Sequence, residues 1–422
     1  MKILFVNDKF LPEKTIVGRI IYENAIVLKK LGYKIFILTT AEGLGLLEIK
    51  EENFNGFTIF KTGRLPDGIL RYYPVLYSYR LNKLFSKLLD EVKPGIVHFH
   101  NVHQNLNFSL FKCAKRYTDE VFLTAHDVQL FHYGKLIEFV NPRDFSCPKI
   151  FNYKISWLRQ ILRFRKRFIP IRRLVIRHYL KYIDKIFAVS GALKDALAQN
   201  GIKNVEVIHN GINADEWMVG TNLVNDFKDK YNLSGKKIIL FGGRLAEFKG
   251  GKQIILAMFE VIKEVENATL VVMGHRDGYA NSIMDMAVQK GLGQNIVFTG
   301  WLSGDDLKAA FHAADIVTTP SVCFDSFPTI NLEAMACKKP VIATCFGGSK
   351  EVVLDGQTGY IVNPYNTNEL AEKIIDLLVN PEKAEAFGLA GYERVKNEFS
   401  LERQVKKTME WYQRMPSDKR PG

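Results

Sequence analysis

Short apolar runs rich in β-branched and aromatic residues recur along this chain of 422 residues, with helical patterns between them. Because the runs are apolar on both faces, they are typical of strands in a parallel sheet that is covered by helices. They lie at Ile3–Val6, Lys34–Thr39, Ile96–His100, Val121–Ala125 and Lys185–Val189 in the first half, and at Lys237–Phe241, Thr269–Met273, Asn295–Thr299, Asp315–Thr319 and Pro340–Thr344 in the second. The alternation of strands and helices predicts an α/β fold with two doubly wound sheets.

The strand and helix pattern lapses over Asn210–Ser234 and then restarts, which predicts two domains. A chain of this length is too long for one ordinary domain. We expect a first Rossmann-like domain at residues 1–210, a second at 211–398, and a C-terminal helix and tail at 399–422 that packs back on the first domain. Ligands of such sheets bind at the carboxyl ends of the strands, so we expect the two domains to face each other across a cleft.

The net charge of +13 comes mainly from one segment. Phe145–Ile183 contains eleven lysines and arginines and no acid, and without them the chain would carry +2. We therefore predict a basic amphipathic insertion at about 149–182. Its arginines form a predicted membrane or acceptor surface: Arg159, Arg163, Arg167, Arg172 and Arg173. Basic amphipathic segments with aromatic residues are typical of contacts with anionic lipid. A helix pair that covers the domain with a solvated basic face is the alternative, and nucleic acid is less favoured.

The cysteines and the apolar runs indicate where the protein works. Five cysteines, an odd number without a C-x-x-C pair, argue against a disulfide framework and a structural zinc site. The N-terminal apolar run is too short for a signal peptide, and no run is long enough to span a bilayer. We expect a cytoplasmic protein, with peripheral attachment to the inner face of the cell membrane as an option.

A glycine-rich segment with two cations follows the strand that ends at Phe241. Gly242 and Gly243 allow the backbone to approach a ligand closely. Arg244 and Lys249 bring two positive charges to the carboxyl end of the strand, where a diphosphate would need them. A simple loop with two solvated cations would have the same sequence, so this segment is informative only together with others.

Two acids eight residues apart, Asp325 and Glu333, flank the start of a predicted helix with Pro328 in its first turn. The free amides of Thr329 and Ile330 at this helix start can bind anionic oxygen. A carboxylate one turn further on can accept hydrogen bonds from two sugar hydroxyls. The structural alternative makes Asp325 a helix-terminal charge and Glu333 a solvent-facing residue.

Together these segments resemble the signature of glycosyltransferase family 4, whose members have the GT-B fold of two Rossmann-like domains. The likeness extends from Met1 to about Glu398. Three positions depart from the family pattern, because Asp325 replaces a glutamate, Lys338 replaces a glycine, and the N-terminal loop keeps one glycine, Gly18. The matching segments are Thr124–Asp127, Ala188–Ser190, Val207–Ile212, Gly243–Gly250, Asp325–Cys337, Pro340–Ala343 and Gly347–Val353.

The resemblance implies a retaining, hexosyltransferase-like enzyme that moves a sugar from a UDP- or GDP-linked donor to a saccharide or lipid-linked acceptor, in the synthesis of cell-surface polysaccharide or glycolipid. It implies that Arg244 and Lys249 bind the donor diphosphate and that Glu333 holds the ribose hydroxyls. Asp325 would contact the donor sugar and His126 would line the reaction site. The catalytic residues are thus expected to be His126, Arg244, Lys249 and Asp325, with donor contacts from Gly18, Asn210, Gly243, Ser326, Phe327, Thr329, Ile330 and Glu333.

The resemblance implies that no protein nucleophile is required, because in this family the leaving phosphate assists the attack. No cofactor is expected. No nucleic-acid partner is expected either, because the motifs of the second half already assign a small-molecule donor. His98, His100 and His103 invite a metal site, but the chain has no Asp-x-Asp motif for a nucleotide's divalent ion. Two alternatives stay open: a non-catalytic scaffold derived from a transferase, and a sugar-nucleotide epimerase of the same fold. The loops expected to recognise the acceptor match no motif and lie around Leu11–Gly18, Leu65–Tyr73 and Val128–Cys147.

Overall fold

The computed structural model describes residues 1–13, 15–45, 48–65 and 73–413. Most of the predicted acceptor loop at Leu65–Tyr73 and the polar tail after Gln413 lie outside these residues. The chain forms two compact units. The first consists of Met1–Gly134, Tyr153–Asn210 and the C-terminal helix at Leu401–Gln413, and the second consists of Lys135–Asn152 and Gly211–Ser400.

The elements of the described residues are as follows, in chain order. The strands are β1 (Lys2–Val6), β2 (Lys34–Ala41), β3 (Ile49–Phe54), β4 (Phe57–Gly63), β5 (Ile96–Phe99), β6 (Glu120–Ala125), β7 (Lys185–Ala188), β8 (Val205–Val207), β9 (Lys237–Phe241), β10 (Ala268–Val272), β11 (Ile296–Phe298), β12 (Ile316–Thr319), β13 (Val341–Thr344) and β14 (Gly359–Val362). The helices are α1 (Ile16–Lys30), α2 (Tyr79–Val92), α3 (Leu110–Ala114), α4 (Trp157–Phe164), α5 (Arg172–Leu180), α6 (Gly191–Gln199), α7 (Thr221–Lys230), α8 (Gly251–Glu264), α9 (Gly278–Gln289), α10 (Gly304–Ala313), α11 (Thr329–Ala336), α12 (Ser349–Val352), α13 (Thr367–Val379), α14 (Pro381–Glu398) and α15 (Leu401–Gln413).

The first unit is built on a sheet with the described strand order β3-β4-β2-β1-β5-β6-β7-β8. All adjacent strands of this sheet are parallel, except that β3 and β4 are antiparallel. All five strands predicted for this half are present, because each is an apolar run buried on both faces. The order reverses at β1, which pairs with β2 on one side and β5 on the other.

The antiparallel hairpin of β3 and β4 was missed by the sequence analysis. Strand β3 has three exposed and three half-buried residues and no apolar run. Its turn, Asn55-Gly56, takes φ values of 51° and 79°. An Asn-Gly pair is the strongest short hairpin signal, because both central residues of this turn need positive φ.

Helix α15 contributes to the core of the first unit, although the chain reaches it from the second. Leu401, Val405 and Tyr412 are buried together with Phe5 and Phe187. Tyr412 is 0 % exposed, so the helix is packed into the core at its end as well as at its start.

The second unit has a parallel sheet with the described order β11-β10-β9-β12-β13-β14. All five predicted strands are present, and β14 is added at the edge. Helices α8, α9 and α13 supply much of the buried core that packs on the sheet. Both units therefore have the predicted Rossmann-like architecture.

The segment Lys135–Asn152 was predicted to lie in the first domain and belongs instead to the second unit. Phe139 and Phe151 pack edge-on against Phe346, with ring centroids 5.6 Å away in both cases. Asn363 donates through its Nδ2 to two carbonyl oxygens of the segment, at 2.8 and 2.9 Å. The sequence division failed here because these contacts join residues about 200 positions apart, which no local pattern reports.

Lys338, which stands where the family pattern has glycine, has a φ of 57°. This left-handed conformation is costly for a side chain and free for glycine. We expect the free energy of unfolding of Lys338→Gly to exceed that of Lys338→Ala by about 1 kcal/mol. Both variants lose the ammonium that lies 5.0 Å from the Tyr392 ring, and only glycine relieves the backbone. Urea unfolding of the two variants measures the difference, and an alanine variant as stable as the glycine variant would contradict the explanation.

Candidate active site

Two loops of the second unit begin side by side, because β9 and β12 are parallel neighbours. The loop after β9 carries the two predicted cations, and the loop after β12 carries Asp325 and leads into α11, which carries Glu333. The N–H of Gly242 donates to the carbonyl oxygen of Thr318 at 2.8 Å and joins the two strand ends. The strand order of the sheet reverses between β9 and β12, and ligands of doubly wound sheets bind at such a point.

Lys249 lies next to the loop after β12, because the glycine that follows it, Gly250, lets the two loops approach closely. Gly250 has a φ of 82°, and a Cβ there would lie 2.0 Å from the carbonyl oxygen of Pro320. The N–H of Val322 also donates to the carbonyl oxygen of Phe248, at 3.1 Å. Only glycine allows this approach, so the sequence Lys-Gly has a structural reason.

Lys249 and Asp325 form an ion pair, with 2.6 Å between Nζ and Oδ2. The Ser321 hydroxyl donates to the same carboxylate oxygen at 3.2 Å. Burial raises the pKa of Asp325, but the attraction of Lys249 and Lys135 outweighs burial and holds that pKa below its usual value. Burial lowers the pKa of Lys249, whereas Asp325 more than compensates and raises it. Both groups are therefore charged at neutral pH.

Arg244 is an exposed second cation on the same loop. Gly243 before it has a φ of 118°, and a Cβ at Gly274 would lie 2.7 Å from the Arg244 Cα, so two glycines fix its backbone. Arg244 lies close enough to Lys249 for their repulsion to act on the pKa of Lys249. Within the described part of the chain, its guanidinium has no hydrogen-bond or ion-pair partner, and it remains available for an anion.

Helix α11 holds Glu333 one turn beyond its start, and Glu333 is 7 % exposed. The alternative that Glu333 faces solvent is therefore wrong. Thr319 donates its hydroxyl to the side chain of Asn331 at 3.0 Å and ties the helix to the end of β12. Thr329 and Ile330, at the helix start, are half-buried. This part of the site combines helix-start amides with a buried carboxylate.

The glycine pair after β13 completes the surroundings of Asp325. The N–H of Gly348 donates to the Asp325 carbonyl oxygen at 2.9 Å, and a Cβ at Gly347 would lie 2.1 Å from that oxygen. Ser326 and Phe327 are buried, and the Phe327 ring packs on Phe399 with centroids 6.0 Å apart. We therefore expect Ser326 and Phe327 to contact a donor through their backbone.

Gly18, His126 and Asn210 belong to the first unit. A Cβ at Gly18 would lie 3.2 Å from the Phe10 Cα, so α1 packs closely on the loop after β1. Asn210 is 3 % exposed, and its Oδ1 has no hydrogen-bond partner among the described residues.

Three histidines of the first unit form a cluster at the ends of β5 and β6. His100 Nδ1 lies 2.9 Å from His126 Nε2, and the ring of His98 stacks on that of His100 with centroids 4.7 Å apart. His98 bonds the hydroxyls of Tyr412 and Thr124. The described residues contain no group of three His, Cys, Asp or Glu side chains placed to hold a metal ion.

Burial lowers the pKa of all three imidazoles, to about 3 for His98, to about 4 for His126 and well below the usual value for His100. The repulsion of neighbouring imidazoles adds to burial, whereas Asp127 partly opposes it at His126. The cluster is therefore neutral at pH 7.

Acid is expected to destabilise the first unit through these histidines. An unfolded histidine gains its proton near pH 6.5, and folded His98 gains one only near pH 3, so stability is complete above pH 6.5 and falls as the pH drops below it. At pH 5 the loss from His98 alone is about 2 kcal/mol. Urea unfolding followed by tryptophan fluorescence, to which Trp411 on the core of the first unit contributes, measures this. His98→Gln should reduce the pH dependence of the free energy of unfolding, and replacement of the exposed His178 by glutamine should not. Equal slopes of this free energy against pH in the two variants would contradict the assignment to His98.

Asp8, the second residue after β1, is a buried carboxylate that the sequence analysis missed. It is 3 % exposed and accepts three backbone N–H groups, from Gln104, Asn105 and Leu106 at 2.7–2.8 Å. These bonds fix the loop that follows the histidine strand. Its position at a strand's carboxyl end was the available signal.

The basic segment folds as α4, a short 3-10 turn at Arg165–Arg167, and α5. Much of the apolar surface of the segment faces outward, although Ile161 and Phe168 are half-buried. Exposed fractions of 54–66 % occur at Trp157, Leu158, Leu162, Ile171 and Leu174. On α4 the buried residue is Gln160. A pair of covering helices would bury its apolar side, so this arrangement does not fit that alternative.

The predicted arginine surface is only partly correct. Arg159 and Arg167 are exposed and Arg163 is half-buried beside the Phe164 ring. Arg172 is 5 % exposed and donates to the carbonyl oxygens of Gln129 and His132, so its assignment to the surface is wrong. Half-buried Arg173 donates to the carbonyl oxygen of Asn200. The spacing of arginines along a helix cannot distinguish a solvent-exposed arginine from one that donates to buried carbonyl oxygens.

Two family models match the chain, Glycosyltransferase Family 4 over residues 17–216 and Glycosyl transferases group 1 over residues 224–394. A glycosyltransferase of Methanocaldococcus jannaschii is 33 % identical over 46 % of this chain and 52 % of its own length. A GDP-mannose-dependent alpha-(1-6)-phosphatidylinositol monomannoside mannosyltransferase of Mycolicibacterium smegmatis is 26 % identical over 53 % of this chain and 60 % of its own. The matches thus span about half the length of these relatives.

Among solved structures, Anabaena HepE in complex with UDP superposes with a TM-score of 0.71 at 16 % identity, over 97 % of this chain and 99 % of its own. At that identity the likeness concerns the fold alone. With two family models covering both halves and with two Rossmann-like sheets, the chain belongs to glycosyltransferase family 4 and has the GT-B fold.

Proposed function

We propose that this protein transfers a sugar from a nucleotide-sugar donor to an acceptor, with retention of the anomeric configuration. The observation that carries the proposal is the pair of cations after β9, which lies beside the helix-start amides and the buried carboxylate after β12. A diphosphate needs the cations, and a ribose diol needs the carboxylate. The second unit therefore has the complementary groups for a nucleoside diphosphate.

In this proposal Arg244 and Lys249 bind the diphosphate and stabilise the charge that grows on it as the glycosidic bond breaks. Glu333 accepts hydrogen bonds from the ribose hydroxyls. Asp325 accepts a hydrogen bond from a hydroxyl of the donor sugar, and its hold on Lys249 keeps the ammonium aimed at the site. His126 of the first unit would line the reaction site and bond a sugar hydroxyl.

The proposal requires no cofactor, because the two cationic side chains carry the charge of the leaving diphosphate. The leaving phosphate oxygen can direct the acceptor hydroxyl to the same face of the sugar and take its proton. The base of the donor is proposed to be uracil or guanine, since HepE binds UDP and the mycobacterial relative depends on GDP-mannose.

A panel of nucleoside diphosphates in thermal denaturation tests the proposal first. One of UDP and GDP should raise the melting temperature, because a ligand at 100 times its Kd adds about 2.7 kcal/mol of stability. Sugar nucleotides of that base should then release the nucleoside diphosphate only when an acceptor is present. Stabilisation by none of the diphosphates would overturn the assignment, and isomerisation of the donor without acceptor would favour the epimerase.

The acceptor is proposed to be lipid-linked, at the cytoplasmic surface of the cell membrane, in the synthesis of a polysaccharide or glycolipid. The support is the outward apolar side of α4 and α5 beside Arg159 and Arg167. Exposed leucines and a tryptophan next to arginines match the interface of an anionic bilayer. No helix of the described residues has the length and hydropathy to cross a membrane.

Vesicle flotation is expected to recover the protein with vesicles that contain phosphatidylglycerol and not with pure phosphatidylcholine. Replacing Leu158 and Leu162 with serine should weaken recovery at least tenfold, because each buried leucine contributes about 1.5–3 kcal/mol. A matched control replaces the exposed Leu223 and Leu389 of the second unit with serine. Equal recovery of the two variants, or of the two lipid compositions, would contradict the membrane surface.

A further inference from the structure

His126 has only one nitrogen left for a substrate. Its Nε2 lies 2.9 Å from His100 Nδ1, and within the described residues its Nδ1 has no hydrogen-bond partner. The side chain is half-buried, whereas His100 is 4 % exposed. One of the two facing nitrogens must carry the proton and the other must accept it, because both rings are neutral. The tautomer of His100 therefore decides whether His126 Nδ1 is a donor or an acceptor.

The other nitrogen of His100 is assigned as the unprotonated one, because a buried N–H without a protein partner is rarer than a buried acceptor without one. His100 Nε2 is buried without a partner among the described residues, and so is Asn24 Oδ1. Both side chains line one small cavity between the sheet and α15, of about 20 Å³, together with Thr408 and Tyr412. That volume accommodates one water molecule. One water that donates a proton to Asn24 Oδ1 and the other to His100 Nε2 would satisfy both atoms.

We propose that His100 is a positioning residue for His126: its Nδ1–H donates to His126 Nε2 and keeps the proton of His126 on Nδ1, as a hydrogen-bond donor to the sugar. The proposal rests on the proposed contact of His126 with the donor sugar. His100 acts through His126 and touches no substrate itself.

The surroundings of the pair keep this arrangement rigid. His98 stacks on His100, and its two nitrogens are bonded to Tyr412 Oη at 2.5 Å and to Thr124 Oγ1 at 2.8 Å. Through His98, Tyr412 at the end of α15 thus restrains the ring of His100. The titratable groups around the pair are His98, His103, Asp127, Asp8 and Tyr412. Burial lowers the pKa of His126 to about 4, so a single neutral tautomer can persist through the neutral range.

Two isosteric substitutions separate the two directions of the bond. In His100→Asn, the amide can turn its nitrogen to approximately the place of Nδ1 and so keep a donor. In His100→Asp, a carboxylate takes that place, can only accept, and forces the proton of His126 onto Nε2. Both variants leave a similar space, so packing loss affects them alike. Their difference reports the direction of the hydrogen bond.

The test measures proton positions by two-bond ¹H–¹⁵N correlation spectra of histidine-labelled full-length protein, with His126 identified by His126→Gln. We expect an Nδ1-protonated His126 in the wild type and in His100→Asn, and an Nε2-protonated ring with a raised pKa in His100→Asp. Sugar transfer should fall about tenfold in kcat/KM for His100→Asp, with a new ionisation in its pH profile, and stay within threefold for His100→Asn.

An Nε2-protonated His126 in the wild type overturns the proposal without any variant, even if a variant fails to fold. Identical behaviour of His100→Asn and His100→Asp overturns it as well. If no sugar transfer is found at all, the spectra still decide the tautomer, so failure of this inference and failure of the proposed function are distinguishable.

Discussion

Replacing Lys249 with methionine is expected to lower kcat by about 10²- to 10³-fold while the protein stays folded. The ammonium is held 2.6 Å from Asp325 Oδ2, so its position is set before any substrate arrives. Its charge acts mainly on the transition state, in which the bond to the diphosphate breaks and negative charge grows on the leaving oxygen. Steady-state rates with saturating donor measure this loss.

The matched control for this prediction is Lys252→Met. Lys252 is exposed at the start of α8, three residues further along the chain, and the change removes the same charge. It should leave kcat within about twofold, in line with the small effect of exposed charges. A loss of similar size in both variants would mean that net charge alone matters, and no loss in either would remove Lys249 from the mechanism.

Glu333→Gln should weaken binding of the preferred nucleoside diphosphate by about 30- to 100-fold. The carboxylate is buried at 7 % exposure, and a charge-assisted hydrogen bond there is worth about twice a neutral one. The amide keeps the shape of the side chain but loses the charge, and over two ribose hydroxyls the loss reaches about 2–3 kcal/mol. Titration calorimetry measures the Kd directly.

Glu372→Gln is the control for the second prediction. Glu372 is exposed on α13 of the same unit. The Kd of the Glu372→Gln variant for the nucleotide should equal that of the wild type. The ribose assignment would be contradicted if Glu333→Gln bound the diphosphate as tightly as Glu372→Gln. A variant that instead bound tightly and turned over slowly would place Glu333 at the reacting centre.

The sequence predicted the sheets well and the loops less well, for one physical reason. A buried parallel strand needs an apolar run on both faces, and all ten runs of this kind became strands. Strand β3 has no fully buried residue and was missed by that rule, although the Asn55-Gly56 turn indicated it. The crossing of Lys135–Asn152 into the second unit depends on Phe139, Phe151 and distant partners, which leave no periodic pattern.

For the candidate site, the sequence identified the chemistry of the side chains and could not predict their pairing. The order of the motifs pointed to Arg244, Lys249, Asp325 and Glu333. The ion pair of Lys249 with Asp325 joins residues 76 positions apart and depends on the close contact of Gly250 with Pro320. The influence of Lys135 on Asp325 had no sequence signal, because Lys135 lies in the segment that was assigned to the other domain.

The departure at Lys338 has a structural consequence, a left-handed backbone. The departure at Asp325 is different, because the shorter carboxylate is engaged by Lys249 and Ser321. We expect it to affect which donor sugar fits rather than whether a nucleotide binds.

A crystal structure with the nucleoside diphosphate selected by the thermal panel tests the central claim most directly. The account predicts diphosphate oxygens about 3 Å from both the Arg244 guanidinium and the Lys249 ammonium, with the ribose hydroxyls on Glu333. A nucleotide bound elsewhere, with Lys249 still on Asp325 and neither cation in contact with phosphate, would contradict it.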